Sequence, residues 1–185
     1  MKNRCFWVNK DQLYIDYHDN EWGKPVYDDE TLFEFLVLET FQAGLSWITI
    51  LKKRENFREA FDNFDYKKIA EYDIVKFEEL IQNAGIIRNK LKVKSAISNA
   101  QLFMEIQKEY GSFSNYIWSF VDGKPIINTF TSRGEVPATT ALSDTISKAL
   151  KKKGFKFVGS TIIYAFMQAT GMVNDHTTDC FCYKN

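Results

Sequence analysis

Residues 79–96 read ELIQNAGIIRNKLKVKSA, and this stretch decides the fold. A helix from about Ile74 runs toward Gly85, a residue suited to the left-handed stop position. A second helix starts near Arg88 and carries Leu91, Ala96, Ile97, Ala100, Phe103 and Met104 on its inner side. Helix, short Gly-containing turn, helix is an αα-hairpin, here near residues 78–95. Its second helix opens with free backbone N–H groups among Arg88, Lys90, Lys92 and Lys94, a combination that can hold a phosphate. An ordinary packed hairpin has the same pattern. The stretch therefore fixes helices and leaves the phosphate site open.

Outward from the hairpin the helical period persists. Leu32, Phe35, Leu36 and Glu39 follow the i, i+3, i+4, i+7 spacing of a buried stripe. Ser46 is placed to cap a helix through WITILKKRENFREAF, with Phe57, Ala60, Phe61 and Phe64 continuing one apolar face. Residues 122–138 hold Gly, Pro and Thr at short intervals and read as an irregular excursion. Ser143 starts a basic helix that stops at Gly154. The segment from Ser160 to Thr170 is apolar nearly all round, hence central, and Gly171 ends it. The reading is all-α, one unit over residues 1–185, without repeat or linker.

Hydrophobic residues make up 45% and charged residues 26%, which suits a soluble globular chain able to bury a core. The 24 basic and 24 acidic residues cancel, so bulk charge does not advertise nucleic acid. Basic residues nevertheless gather at 88–94 and 151–156, where a solvated face is the competing reading. No stretch is long and apolar enough to span a bilayer, and the start lacks a signal-peptide core. Three cysteines, an odd number, argue against a disulfide framework and fit a cytoplasmic setting.

The two histidines and two of the three cysteines form a candidate metal set: Cys5, His18, His176 and Cys180. His176-x3-Cys180 has the spacing of one helical turn. Two Cys and two His close a tetrahedron, the pattern of structural zinc, one ion per chain, tying the two ends together. Unrelated core histidines and inert buried cysteines are the alternative. Cys182 could replace Cys180 only by giving up the one-turn spacing.

Glu39 lies on a stripe that faces inward, where a carboxylate is costly unless hydrogen-bonded or paired. It is either a satisfied structural residue or a pocket acceptor awaiting a donor. QAGLSW follows at 42–47: a Gly44–Leu45 turn that offers an apolar wedge of the kind that fills a gap in stacked bases, then the flat face of Trp47. Tyr14, Tyr17 and Trp22 surround His18. Rings beside a lone carboxylate suit a flat cation. A cationic purine and a methylated amine both meet that description.

With these residues the chain resembles the 3-methyladenine DNA glycosylases of type I, a monofunctional branch of the helix-hairpin-helix glycosylase superfamily. The resemblance spans essentially the whole chain. It rests on C-x-W at Cys5, Y-x-x-Y-H-D-N-E-W-G, Leu38–Glu39, Q-A-G-L-S-W-I-T-I-L-K-K-R-E-N-F, A-G-I-I-R, W-S-F, K-G-F-K-F-V-G and G-x-V-N-D-H-x3-C, in that order. It implies zinc on Cys5, His18, His176 and Cys180, and a base pocket of Glu39, Tyr17, Trp47, Trp7 and Trp22, with Glu39 the catalytic residue. It implies DNA contact through Gly44, Leu45, Arg88 and Lys90, and a monomer acting on double-stranded DNA that contains 3-methyladenine. The reaction implied is hydrolysis of the N-glycosidic bond without strand cleavage. Phe6 interrupts the opening motif with a bulky side chain, a departure that touches no matched pocket position. A non-catalytic zinc-containing DNA-binding module would explain the basic hairpin and the metal set, but it leaves Glu39 and its Trp neighbours without a role. A zinc hydrolase needs an open coordination position that four protein ligands do not leave.

Overall fold

The computed structural model describes residues 2–183. Among them nine α-helices follow in order: α1 Gln12–Asn20, α2 Asp29–Gln42, α3 Trp47–Ala60, α4 Tyr66–Ala70, α5 Ile74–Gln82, α6 Lys90–Tyr110, α7 Phe113–Trp118, α8 Ala141–Lys152 and α9 Ser160–Ala169. The helices start where the sequence supplies an oxygen for the orphan first-turn amides. Asp11, Asp28, Asp65, Asp73, Asn89, Ser112 and Thr140 each accept a backbone N–H through the side chain. Ser46 occupies the N-cap of α3, yet its hydroxyl bonds Thr49 Oγ1 at 2.7 Å rather than a backbone amide. The amide of Ile48 is met instead by the Tyr14 hydroxyl at 3.2 Å, which joins α1 to the first turn of α3.

The core is centred on α2. Every residue from Leu32 to Phe41 except Glu34 is buried. The expected single stripe is therefore wrong in extent: α2 is covered on most of its circumference because α3, α6, α7 and α9 all pack on it. Two aromatic clusters fill the gaps. Phe33, Tyr66, Phe103 and Phe113 meet on one side, and Phe41, Phe57, Phe61 and Phe64 on the other. Such edge-to-face and offset pairs each add about 0.5–1.5 kcal/mol beyond area burial.

Several expected boundaries shift. α8 begins at Ala141, not Ser143, because Ser143 is the inner partner of a capping box with Thr140. Leu91 is 68% exposed, so the inner face of α6 starts one residue pair later, at Lys92 and Val93. α5 ends at Gln82, and Gly85 does not adopt a left-handed stop. What requires glycine there is space. A Cβ at Gly85 would sit 3.0 Å from Asn83 Oδ1 and 3.2 Å from the Asn56 side chain, so the hairpin turn rests directly on α3.

The one departure from an all-helical reading is small. Ile126–Ile127 (β1) and Val173–Asn174 (β2) form a two-stranded parallel pair. It pins the start of the irregular excursion after α7 against the segment that leaves α9. The chain ends also meet: Phe181 N–H donates to Asn3 O at 3.0 Å. No described helix is long and apolar enough to cross a membrane.

Candidate active site and metal centre

A cavity of about 310 Å³ opens where α1, α2, α3 and α9 converge. Trp7, Tyr17, Trp22, Glu39 and Trp47, five residues named from the sequence, all line it. Their rings form a continuous wall: Trp7 lies 5.1 Å from Trp22 and 5.4 Å from Tyr14, and Tyr17 lies 5.4 Å from Trp47, centroid to centroid.

Glu39 is 3% exposed, and its Oε2 has no hydrogen-bond partner. Burial pushes its carboxyl up to about 8 from the ordinary 4.5. Burial is the whole cause of that shift; Arg54 is paired with Glu34 and Glu21, each at 2.7 Å. Tyr17, fully enclosed beside Glu39, has its phenol held well above the ordinary value, by burial first and by the carboxylate second. Two further polar atoms, Trp7 Nε1 and Trp47 Nε1, are buried without partners. Unpartnered buried polar atoms are uncommon in folded proteins, and here three border one cavity. The site offers an acceptor and two donors to whatever flat molecule enters. Among the described residues no lysine borders it.

The cavity also includes residues that sequence reasoning left unassigned: Phe6, Gln42, Val136, Pro137, Gln168 and Asp175. Phe6, outside the matched pocket positions, nevertheless stands at the rim, 47% exposed, with the Arg133 guanidinium 5.7 Å from its ring. Asp175 is the opposite of Glu39. Its carboxylate accepts from Tyr164 Oη at 2.6 Å, Gln168 Nε2 at 2.9 Å and Asn128 Nδ2 at 2.6 Å. Asp175 belongs to the quoted V-N-D-H run; position beside a metal-ligand candidate was the available signal.

Behind the ring wall, Cys5, His18, His176 and Cys180 are all buried, with their ligand atoms within 4.8 Å of one another. Cys5 Sγ lies 3.4 Å from His176 Nδ1, and Cys180 Sγ lies 3.4 Å from His18 Nε2 and 3.5 Å from His176 Nδ1. A tetrahedron with ligand bonds of about 2.0–2.3 Å has edges of about 3.3–3.8 Å, so the spacing fits a metal. The outer nitrogens agree. His18 Nδ1 meets Asp19 Oδ1 at 2.8 Å and His176 Nε2 meets Trp22 O at 3.0 Å. Each outer contact fixes the ring proton outward and turns the other lone pair toward the thiols. Burial pushes the Cys5 thiol up to about 12 and His176 down to about 4. Both shifts favour neutral groups; neutral imidazole is already a ligand, and a dication displaces the thiol proton. Cys182 belongs to a second, overlapping group, its ligand atom within 4.8 Å of those of His18 and Asp19 and its amide donating to Cys180 Sγ at 3.4 Å. His176 and Cys180 are brought together by a turn after β2, with Cys180 N–H on Thr177 O at 2.8 Å, and not by the helical turn their spacing suggested.

The remaining candidates lie on two exposed turns. Gly44, at φ +80°, and Leu45, 39% exposed, form the link between α2 and α3. Arg88 and Lys90 are exposed at the start of α6. The second basic run behaves largely as a solvated face: Lys153 pairs with Glu109 at 2.7 Å, and Lys151 and Lys152 point to water.

Residues 7–183 match the family model described as methyladenine glycosylase. The chain is 52% identical over 180 residues to DNA-3-methyladenine glycosylase 1 of Escherichia coli strain K12, covering 97% of this chain and 96% of that protein. The crystal structure of a 3-methyladenine DNA glycosylase I superposes with a TM-score of 0.95 at 54% identity, over 97% of this chain and 99% of the other. A single-residue variant of such an enzyme, solved in complex with 3-methyladenine, also gives 0.95 at 37% identity, over 99% and 98% of the two chains.

Proposed function

The chain belongs to the methyladenine glycosylase family, and from that premise we propose that it excises N3-methyladenine from alkylated double-stranded DNA by hydrolysing the N-glycosidic bond, leaving the strand intact. The observation that carries this reading is Glu39 Oε2, an acceptor without a partner inside a ring-lined cavity.

The chemistry follows from charge. Alkylation at N3 makes the adenine cationic, so its bond to the sugar is already weakened. When that bond breaks, its electron pair stays with the base and cancels the positive charge. Water forms the new bond to the sugar carbon and gives up a proton. No acid is needed to protonate the leaving group. The protein has to extract the nucleotide from the stack and hold the cation. Indole and phenol faces at Trp7, Trp22, Trp47 and Tyr17 attract it. Glu39 reads its N–H edge. A neutral adenine does little to offset the cost of ionising a buried carboxyl, whereas a cation draws the proton off Glu39 and pairs with it. That difference is the selectivity.

In the same reading Leu45 enters the gap left by the extruded nucleotide, Gly44 allows the turn, and Arg88 and Lys90 at the α5–α6 hairpin hold backbone phosphates. A structural zinc on Cys5, His18, His176 and Cys180 ties the chain ends and backs the pocket wall; with four protein ligands it supplies rigidity and no reacting water. In this reading the protein works as a monomer in the cytoplasm, a reducing setting that suits its free, metal-suited cysteines.

The test is chromatography of bases liberated from methylated duplex DNA. Wild-type protein is expected to release 3-methyladenine, and Glu39→Gln to release it about 100- to 1,000-fold more slowly. Folded wild-type protein that frees no base from such DNA overturns the reading.

A further inference from the structure

Lys92 is 6% exposed, and among the described residues no carboxylate pairs with it. It occupies the third position of α6, where its charge faces the positive end of its own helix dipole. Burial lowers its ammonium pKa, again against the charged form. A hydrophobic side chain of similar length would escape both costs, and buried charges are often replaceable in that way. What Lys92 gains instead is directional. Its Nζ donates to Phe41 O at 2.8 Å and to Ala43 O at 2.6 Å.

Those two carbonyls lie at the end of α2, where helices leave backbone acceptors without partners and the dipole favours a cation. They flank Gln42, which lines the cavity, and they immediately precede Gly44 and Leu45. One ammonium thus clamps the segment that runs from the pocket carboxylate to the exposed wedge turn, and the clamp is mounted on the first turn of α6, between Lys90 and Lys94. A second lysine repeats the arrangement from the other side. Lys53 of α3 donates to Ala84 O at 3.2 Å and Gly85 O at 3.3 Å, and Asn56 Nδ2 reaches Gly85 O at 3.3 Å. The hairpin turn is held to α3, and the wedge turn is held to the hairpin helix.

Resting on the glycosylase reading above, we propose that Lys92 is a positioning residue that locks the Gly44–Leu45 wedge to the phosphate-holding hairpin, so that gripping the backbone and pushing the nucleotide out occur as one rigid event. Lys53 serves the same coupling more weakly, since its partners are longer and half-exposed. Neither lysine touches the base. The lock therefore governs what the protein does to DNA and leaves alone what the pocket does with a free base.

The measurement pairs two readouts on each variant: binding of free 3-methyladenine by tryptophan fluorescence, and single-turnover release of the base from methylated duplex. Wild-type release is the control that decides the glycosylase reading itself, independently of any variant. For Lys92→Met we expect unchanged affinity for the free base and release slowed about 10- to 100-fold, the scale of a misplaced reacting group. Lys92→Arg, which keeps the charge and donors, should recover part of the loss. Lys53→Met should slow release by a smaller factor in the same direction, and it decides the matter if Lys92→Met does not fold. Release at the wild-type rate in Lys53→Met and Lys92→Met, or equal losses of free-base binding and release in the folded variants, overturns the proposal.

Discussion

The two halves of the site sit back to back and follow opposite rules. On the side of the cysteine–histidine cluster, among the described residues, no buried polar side-chain atom is without a partner. Both outer imidazole nitrogens have oxygen partners, and the inner ones face thiols at 3.4–3.5 Å. On the cavity side Glu39 Oε2, Trp7 Nε1 and Trp47 Nε1 have none. Only a layer of rings separates the two, with Trp7 5.3 Å from His18 and Trp22 4.8 Å from His176. A saturated cluster can only hold the fold together, whereas an unsaturated one has been left for a guest. The substitutions below ask whether stability and activity divide along that layer.

The largest effect should come from the saturated side. His176→Ala, or removal of metal by a chelator, takes away a tie between the chain ends. Structural zinc contributes on the order of 10 kcal/mol in small domains; even half of that lowers Tm by about 10–20 °C in a chain of this size. Calorimetry beside metal analysis measures it. If the variant lacks metal and still melts with the wild type, the cluster is no strut and the division fails.

Glu39→Gln should invert that result, losing activity while gaining stability. The folded carboxyl titrates at about 8 and the ordinary one at 4.5, so between those values the folded state keeps a proton that the unfolded chain releases. Wild-type stability therefore falls as pH rises from 4.5 to 8, by about 1.4 kcal/mol per pH unit, and levels off above 8. Gln carries no such penalty. The two proteins should melt together near pH 4.5, and the variant should lead by roughly 4 kcal/mol at pH 8.5. The same titration sets activity: kcat/KM on methylated DNA should pass half its plateau near pH 8 and level off above it in the wild type, and stay flat in the variant. Equal pH dependence of Tm in both would place Glu39 among the satisfied residues.

A smaller effect compares two indoles. Trp47 Nε1 is without a partner, whereas Trp118 Nε1 donates to Val26 O at 2.7 Å. Trp47→Phe removes a stacking face and a free donor, and should weaken 3-methyladenine binding about 5- to 30-fold at little cost in Tm. Trp118→Phe strands a carbonyl, and should cost about 1–3 kcal/mol of stability with base affinity intact. Titration calorimetry and thermal melts on the pair read both outcomes.

The sequence made these residues legible to unequal degrees. Glu39 and the helices around it were readable because apolar spacing and an out-of-place carboxylate are local signals. The metal set was readable by arithmetic, since two histidines and three cysteines leave few combinations. Asp175 was not readable. It directly follows β2, which is placed by a contact of residues 126–127 with 173–174 that no period announces. Gln168 sits in α9, a helix the apolar run did announce, but nothing in that run marks this polar residue as facing a cavity. Gly85 was misjudged for a related reason: its constraint is Asn56, some thirty positions away, and not its own backbone angle.

Phe6 supplies the smallest effect and the sharpest use of the comparison, because it touches both sides. It follows Cys5 directly, yet its ring stands at the cavity rim under Arg133. It is 47% exposed, so truncation uncovers little core and Tm should hold. An exposed ring–cation contact is worth about 0.5–1 kcal/mol, which sets the expected loss of base release in Phe6→Ala at about two- to fivefold. Metal content should not change, since the backbone carrying Cys5 is anchored independently by Val8 N–H on Cys5 O at 3.1 Å. A variant that loses metal along with activity would mean that the rim and the strut are one structure, and that the layer of rings transmits strain instead of insulating the guest site from the ion.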